Sequence, residues 1–262
     1  MKNKIASLPV FYFIYSFLFV ILIFSITRAQ EDNYPWTNNG TDPTEPRTRG
    51  EFDITRIEPV SAGYILEFPF AGELALRRWV SLGLTVPLVY ADFPSSSTFE
   101  LGDIKLSALI SLFQQPNESV FKAIGIGGNF FLNTGDVETG TGFGQPTGSA
   151  YIAASFYPAE EIMIAPILQE FISVDQSSEE KKLNELSIRI QSVFNFSEGW
   201  WVDLTPELIV DLRSVRDNLW SLRSSIGKMV NKNVGLSADF FYQLAGEKRF
   251  EYLGRFKMRY LL

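Results

Sequence analysis

The sequence has 262 residues, of which 46% are hydrophobic and 20% charged, with no His, no Cys and a formal net charge of −7. Without His or Cys there is no Ser-His-Asp triad, no Cys-His pair and no common zinc cage. Disulfide frameworks and a lipid-attachment thiol are excluded as well. The acid excess argues against nucleic acid as a partner, because phosphate recognition requires a basic surface.

Lys2 and Lys4 precede an apolar run from Phe11 to Ile26, and Thr27-Arg28-Ala29 follows with small residues at a peptidase spacing. This predicts a signal peptide over residues 1–29, cleaved between Ala29 and Gln30. The alternative is an uncleaved anchor, but the run falls short of the roughly 20 residues that a spanning helix needs. Cleavage leaves 20 basic against 30 acidic residues, a net charge of −10. Residues 30–50 (QEDNYPWTNNGTDPTEPRTRG) are rich in Pro, Asn, Thr and charge. Such a composition predicts a flexible polar arm, loose in the periplasm or lying in a lumen, and favours disorder without a role.

From residue 51 to 262 the pattern has a period of two. About twelve strands are predicted, near 52–58, 62–69, 73–90, 101–114, 119–134, 147–158, 160–174, 183–196, 199–213, 218–230, 233–243 and 250–262. A count of 10 to 12 is compatible with the pattern. In chain order, Leu106 and Ile110 oppose Lys105 and Ser107, and Ile188 and Ile190 oppose Arg189 and Gln191. Leu204 and Leu208 oppose Asp203, Thr205 and Glu207, and Phe256, Met258 and Tyr260 oppose Arg255, Lys257 and Arg259. Successive strand side chains point to opposite faces, so each segment has one apolar and one polar face. The strands exceed the roughly 5–6 residues usual in globular proteins and suit the roughly 9–11 that cross a bilayer at a tilt.

Short links at 71–72, 115–118, 159, 197–198 and 231–232 alternate with longer polar ones at 91–100, 135–146, 175–182 and 244–249. The link at 214–217 is short for its side. Short periplasmic turns alternating with longer outer loops are the asymmetry of outer-membrane barrels. The fold expected is all-β: a closed antiparallel up-and-down transmembrane β-barrel in the bacterial outer membrane, with both termini periplasmic. Trp200, Trp201, Trp220, Tyr242, Tyr252 and Tyr260 lie near strand ends, where rings suit the membrane interfaces. A soluble β-protein with Ile104, Leu106 and Ile110 packed inside is the alternative from alternation alone.

Catalysis could rest only on carboxylate pairs, and the protein reads as no enzyme and as needing no cofactor or metal. Gly125-Ile126-Gly127-Gly128 opens no helix, so it is not a nucleotide loop; glycine there relieves crowding or aids bending. The polar faces predict lumen-lining charges: Asp203, Glu207 and Asp211 as an acidic row, Arg189 and Arg223 beside it, and Arg255, Lys257 and Arg259 as a basic row. Opposed rows would set a transverse field that selects solutes; equally, the charges would pair across neighbouring strands and stiffen a narrow barrel. About twelve strands predict a narrow or plugged bore.

Leu101-Gly102-Asp103-Ile104-Lys105-Leu106, Asn133-Thr134-Gly135-Asp136, Gly140-Thr141-Gly142 and Gly83-Leu84-Thr85-Val86-Pro87 resemble motifs of the outer-membrane transporter family named for the meta-cleavage pathway of phenol degradation. The resemblance covers most of 62–262. It departs from the family at Asn133, where a proline is usual, and at Leu262, where such barrels usually end in Phe or Trp. It implies a channel-like barrel passing small solutes, hydrophobic or aromatic ones among them. The rival function is a non-conducting structural or surface-interaction barrel acting through its extracellular loops. The partners expected are outer-membrane lipid, an unidentified small-molecule solute, and the export and barrel-assembly machinery.

Overall fold

The computed structural model describes residues 39–262 apart from 61, 95, 116–119, 138, 175–182, 214–217 and 247. The leader and its cleavage point, residues 30–38, and the links at 175–182 and 214–217 lie outside the described residues.

Thirteen strands follow one another: β1 (Arg49–Pro59), β2 (Tyr64–Arg77), β3 (Val80–Phe93), β4 (Ser96–Leu101), β5 (Lys105–Gln114), β6 (Phe121–Phe131) and β7 (Thr147–Ala159). After them come β8 (Ile162–Ser173), β9 (Asn184–Asn195), β10 (Trp200–Asp211), β11 (Leu219–Met229), β12 (Val234–Ala245) and β13 (Phe250–Leu261). Every pairing is antiparallel. β1 pairs with β2 on one side and with β13 on the other, Arg49 opposite Leu261 and Thr55 opposite Arg255, which closes the sheet. Closure satisfies the backbone of the staves that complete the ring, as a bilayer demands.

β4 and β5 share β3 as partner, β4 along Leu88–Phe93 and β5 along Val80–Thr85. They form a single stave interrupted at Gly102-Asp103-Ile104, so the barrel has twelve staves. The rim where β1 begins and β13 ends is called proximal below, and the opposite rim distal.

Two boundaries differ from the sequence reading. Ala71 and Gly72 form no turn: they lie inside β2, paired with Thr85 and Leu84, and the chain turns at Arg78-Trp79 instead. The alternation passes straight through the two small residues, with Leu66, Phe68, Phe70, Leu74 and Leu76 on one face, so the pair breaks nothing. The loop expected at 91–100 is mostly strand, because β3 runs on to Phe93 and β4 starts at Ser96.

Burial is inverted relative to a soluble protein. Leu82, Leu106, Ile152, Ile190, Ile226 and Phe256 face outward and are 44–49% exposed. Ser81, Ser187, Asp203, Thr205 and Asp239 face inward and are at most 4% exposed. A continuous apolar exterior of this kind marks a membrane contact, and with Leu106 outside, the soluble alternative is eliminated. Near the rims Trp200, Trp220, Tyr242, Tyr252 and Tyr260 point outward, and Lys228 sits 4.8 Å above the Trp200 ring. Trp201 departs from its expected place: one residue on, it faces inward and packs with Met163, Ala165 and Val193 in a small apolar cluster inside the barrel.

Candidate solute pathway through the lumen

The bore carries inward charges from several staves, and most meet partners on the next stave. Arg255 of β13 holds Asp239 of β12 through Nη2 at 2.5 Å and Nε at 2.7 Å. Arg259 meets Glu51 of β1 at 2.6 Å, Lys257 lies 3.5 Å from Glu51 and 4.0 Å from Asp53, and Arg49 reaches Glu73 of β2 at 2.8 Å. Across β9, β10 and β11, Arg189 lies 3.7 Å from Glu207 and Arg223 lies 3.4 Å from Asp203. The geometry is therefore a cross-strand ladder. Coulomb attraction falls with distance, and a neighbouring stave about 5 Å away outcompetes the opposite wall.

Six of the eight charges expected in the lumen, namely Asp203, Arg189, Arg223, Arg255, Lys257 and Arg259, line one central cavity of about 390 Å³. Glu207 stands beside it on the ladder. Asp211 is not brought to the cavity: it ends β10 at the distal rim, where its carboxylate accepts the backbone N–H of Arg213. Six further charges, Arg49, Glu51, Asp53, Glu73, Lys105 and Asp239, face the same bore and were not singled out from sequence. The alternation Arg49, Glu51, Asp53, Thr55 was the available signal, but it lies in the first strand, where the pattern is shortest.

At the proximal end the bore is crossed by residues 39–48. Composition assigns this stretch to a flexible arm, yet Asn39 is 2% exposed and Thr44 fully buried. What orders it is polar, which a hydrophobicity argument does not weigh. Asn39 Nδ2 donates to Asn195 of β9 at 2.9 Å, the Tyr157 hydroxyl of β7 donates to Asp42 at 2.9 Å, and Thr44 meets Ser155 of β7 at 3.0 Å. On the other wall Arg259 donates to the Asn39 carbonyl and Arg49 to the Gly40 carbonyl, each at 2.5 Å. Asn39 and Asp42 also cap their own turns by accepting from the backbone N–H groups of Thr41 and Thr44. Gly125 of β6 makes room for the segment, since a Cβ there would lie 3.0 Å from Thr44 Cα.

At the distal end residues 132–137 and 139–146 are fastened to the break between β4 and β5. Asp103, in the break between β4 and β5, accepts from the backbone N–H of Thr134 (3.1 Å) and Gly135 (2.8 Å) through Oδ1, and of Phe143 (2.7 Å) through Oδ2. Thr134 donates its hydroxyl to the Gly102 carbonyl at 2.8 Å and accepts from Ile104 N–H at 2.9 Å. The Phe143 ring packs edge-on against Phe131, and a Cβ at Gly140 would sit 3.2 Å from the Phe93 ring. Short motifs far apart in sequence thus meet in one clamp.

Residues 33–260 match the family model described as "Putative MetA-pathway of phenol degradation". The chain belongs to this family. Its motif residues from Leu101 to Leu106, from Asn133 to Asp136 and from Gly140 to Gly142 are those of the distal clamp and the stave beside it. No curated protein matches the sequence. Among solved structures, this family member is similar to an outer-membrane channel from Pseudomonas putida F1, with a TM-score of 0.63 and 11% identity over 90% of this chain and 100% of that one. It is also similar to the NanC porin (TM-score 0.58, 6% identity, 82% and 100% coverage) and to the KdgM porin solved with disordered oligogalacturonate (0.57, 9%, 82% and 99%). At these identities the likeness establishes the fold: a closed antiparallel barrel of the architecture seen in outer-membrane channels and porins.

Proposed function

We propose that this family member is a narrow channel for small solutes across the outer membrane, held closed at its proximal end by residues 39–48. One observation carries the reading: a cavity of about 390 Å³ remains inside the bore, lined largely by charged and polar side chains and bounded by the hydrogen-bonded segment, with the Trp201 cluster beside it. A purely structural barrel would have its interior filled by side chains, as in barrels of about 8 strands. The solute class that the family resemblance implies, small hydrophobic or aromatic molecules, suits the distal end, where Phe143 packs on Phe131 and Phe93 lies beside Gly140. The proximal rim is assigned to the periplasm, with both termini, and the distal loops to the cell exterior. The bilayer-facing side chains take outer-membrane lipid as their partner.

Purified protein reconstituted in planar bilayers should give small, discrete conductance steps; complete absence of current and of solute flux in liposomes overturns the channel reading. Because the chain has no Cys, single cysteines report topology cleanly. Lys248→Cys should react with a membrane-impermeant maleimide on intact cells and Lys232→Cys only after the outer membrane is breached. The reverse result overturns the orientation.

A further inference from the structure

The two walls of the central cavity treat their arginines differently. On β1, β12 and β13 the guanidiniums of Arg255 and Arg259 are held by carboxylates at 2.5–2.7 Å. On β9–β11 the acids spend their close bonds on neutral donors. Asp203 takes Gln191 at 2.7 Å and Thr205 at 2.6 Å, and Glu207 takes the Ser187 hydroxyl at 2.5 Å. Arg189 and Arg223 are left with ion pairs at 3.7 and 3.4 Å.

A guanidinium carries five N–H donors. Among the described residues Arg223 uses only Nη2, on Asp203 and on Thr205 at 3.2 Å, and Arg189 uses Nη2 on Gln169. The Nε of each is buried without a hydrogen-bond partner. The two guanidiniums interact electrostatically, and both line the cavity. The same cavity is lined from β7 by Tyr151, whose hydroxyl lies within electrostatic reach of Arg189 and Arg49; its ring is seated over Gly127, where a Cβ would come within 2.3 Å of it. Beside this group Ile167, the cross-strand neighbour of Arg189, and Leu109 present apolar surface, at 6% and 7% exposure.

We infer that Arg189, Arg223 and Tyr151 form a binding site inside the lumen for a small carboxylate carrying an apolar body. Unspent guanidinium donors match a carboxylate in geometry and charge, and the Tyr151 ring, Leu109 and Ile167 cover the remainder of the ligand. The cavity volume lies in the range of small-molecule sites, ~300–1,000 Å³. This inference names a solute class for the channel and rests on that reading.

Benzoate is the probe and benzyl alcohol its uncharged counterpart, titrated calorimetrically into the full-length protein in detergent and, in parallel, added to bilayers. Benzoate should bind the wild type and reduce its current, with benzyl alcohol at least ~10-fold weaker. The double variant Arg189→Gln, Arg223→Gln should weaken benzoate at least ~10-fold while still migrating as a folded, heat-modifiable barrel. Tyr151→Phe, which keeps the ring over Gly127, should weaken it several-fold and guards against a misfolded double variant. Equal binding of benzoate and benzyl alcohol, or unchanged benzoate affinity in both variants, overturns the site. Current without benzoate binding defeats the site and leaves the channel reading standing; benzoate binding without any current does the opposite.

Discussion

Asp103 concentrates more of the distal architecture than any other side chain. Its carboxylate takes backbone N–H groups from both ends of the loop 132–146. A hydrogen bond to a charged group contributes about 1.5–3 kcal/mol, and the three bonds act as one unit, so their loss is less than additive. Asp103→Ala is expected to cost the loop roughly 2–4 kcal/mol of local stability while leaving the strands paired. The measurement is hydrogen exchange at Thr134, Gly135 and Phe143, which should quicken by at least ~10-fold, with β8–β13 unchanged; protection equal to wild type would show that the loop is held by other means. The residues of this clamp were visible in the sequence as short Gly- and Asp-containing motifs. Their mutual contact was not, because nothing in periodicity tells residue 103 that it will meet residue 143.

Among elements, residues 39–48 have the most direct effect on function. They bridge β13 and β1 on one wall to β7 and β9 on the other, with polar contacts at both walls. Net contributions of such bonds are about 0.5–1.5 kcal/mol each, enough to hold a segment in place and small enough for it to be displaced. Deleting residues 39–48, while keeping the residues before them and β1 from Arg49, should raise single-channel conductance several-fold and leave the thermal transition of the barrel within a few degrees. An unchanged conductance would place the constriction elsewhere. Sequence reading identified the arm as polar and offered the lumen as one home for it, but composition alone ranks disorder first, since it weighs apolar burial and not partners supplied by another element. The same blind spot explains the missed counterions. Glu51, Asp53 and Glu73 sit in the first two strands, and the misplaced turn at Ala71-Gly72 split β2 where its alternation in fact continues.

On the scale of the whole molecule, stability depends on which face meets lipid. The strand periodicity was sufficient to read both faces of β5, β9, β10, β12 and β13, because one-residue slips would turn every apolar side chain inward. The rows Asp203–Glu207 and Arg255–Arg259 were also legible. Whether they neutralise along the wall or face each other across the bore depends on which staves are adjacent, and that emerges only once the barrel is closed. A charge placed on the outer face tests the assignment. Ile190 lies near the middle of β9, 48% exposed, and Ile190→Arg should destabilise the barrel by about 2–4 kcal/mol in lipid vesicles. Reversible guanidinium unfolding in vesicles gives the number, and a cost near zero would mean that this face does not contact the bilayer core. Gln191→Ala, one residue along, points into the bore and should leave lipid partitioning unchanged.

The proximal stopper is tied to the wall it blocks: Thr48 is followed directly by Arg49, the first residue of β1. Ten residues at roughly 3.5 Å each when extended can hang clear of the bore without leaving the molecule. Tension applied at the Asn39 end would load its bonds in succession, Asn39 with Asn195 and Arg259 first, then Asp42 with Tyr157, then Thr44 with Ser155. A stopper fastened in this way unzips under a small force, whereas the staves around it, sheared along their full length, would hold. Once the tension ends, the tether returns it to the same hole.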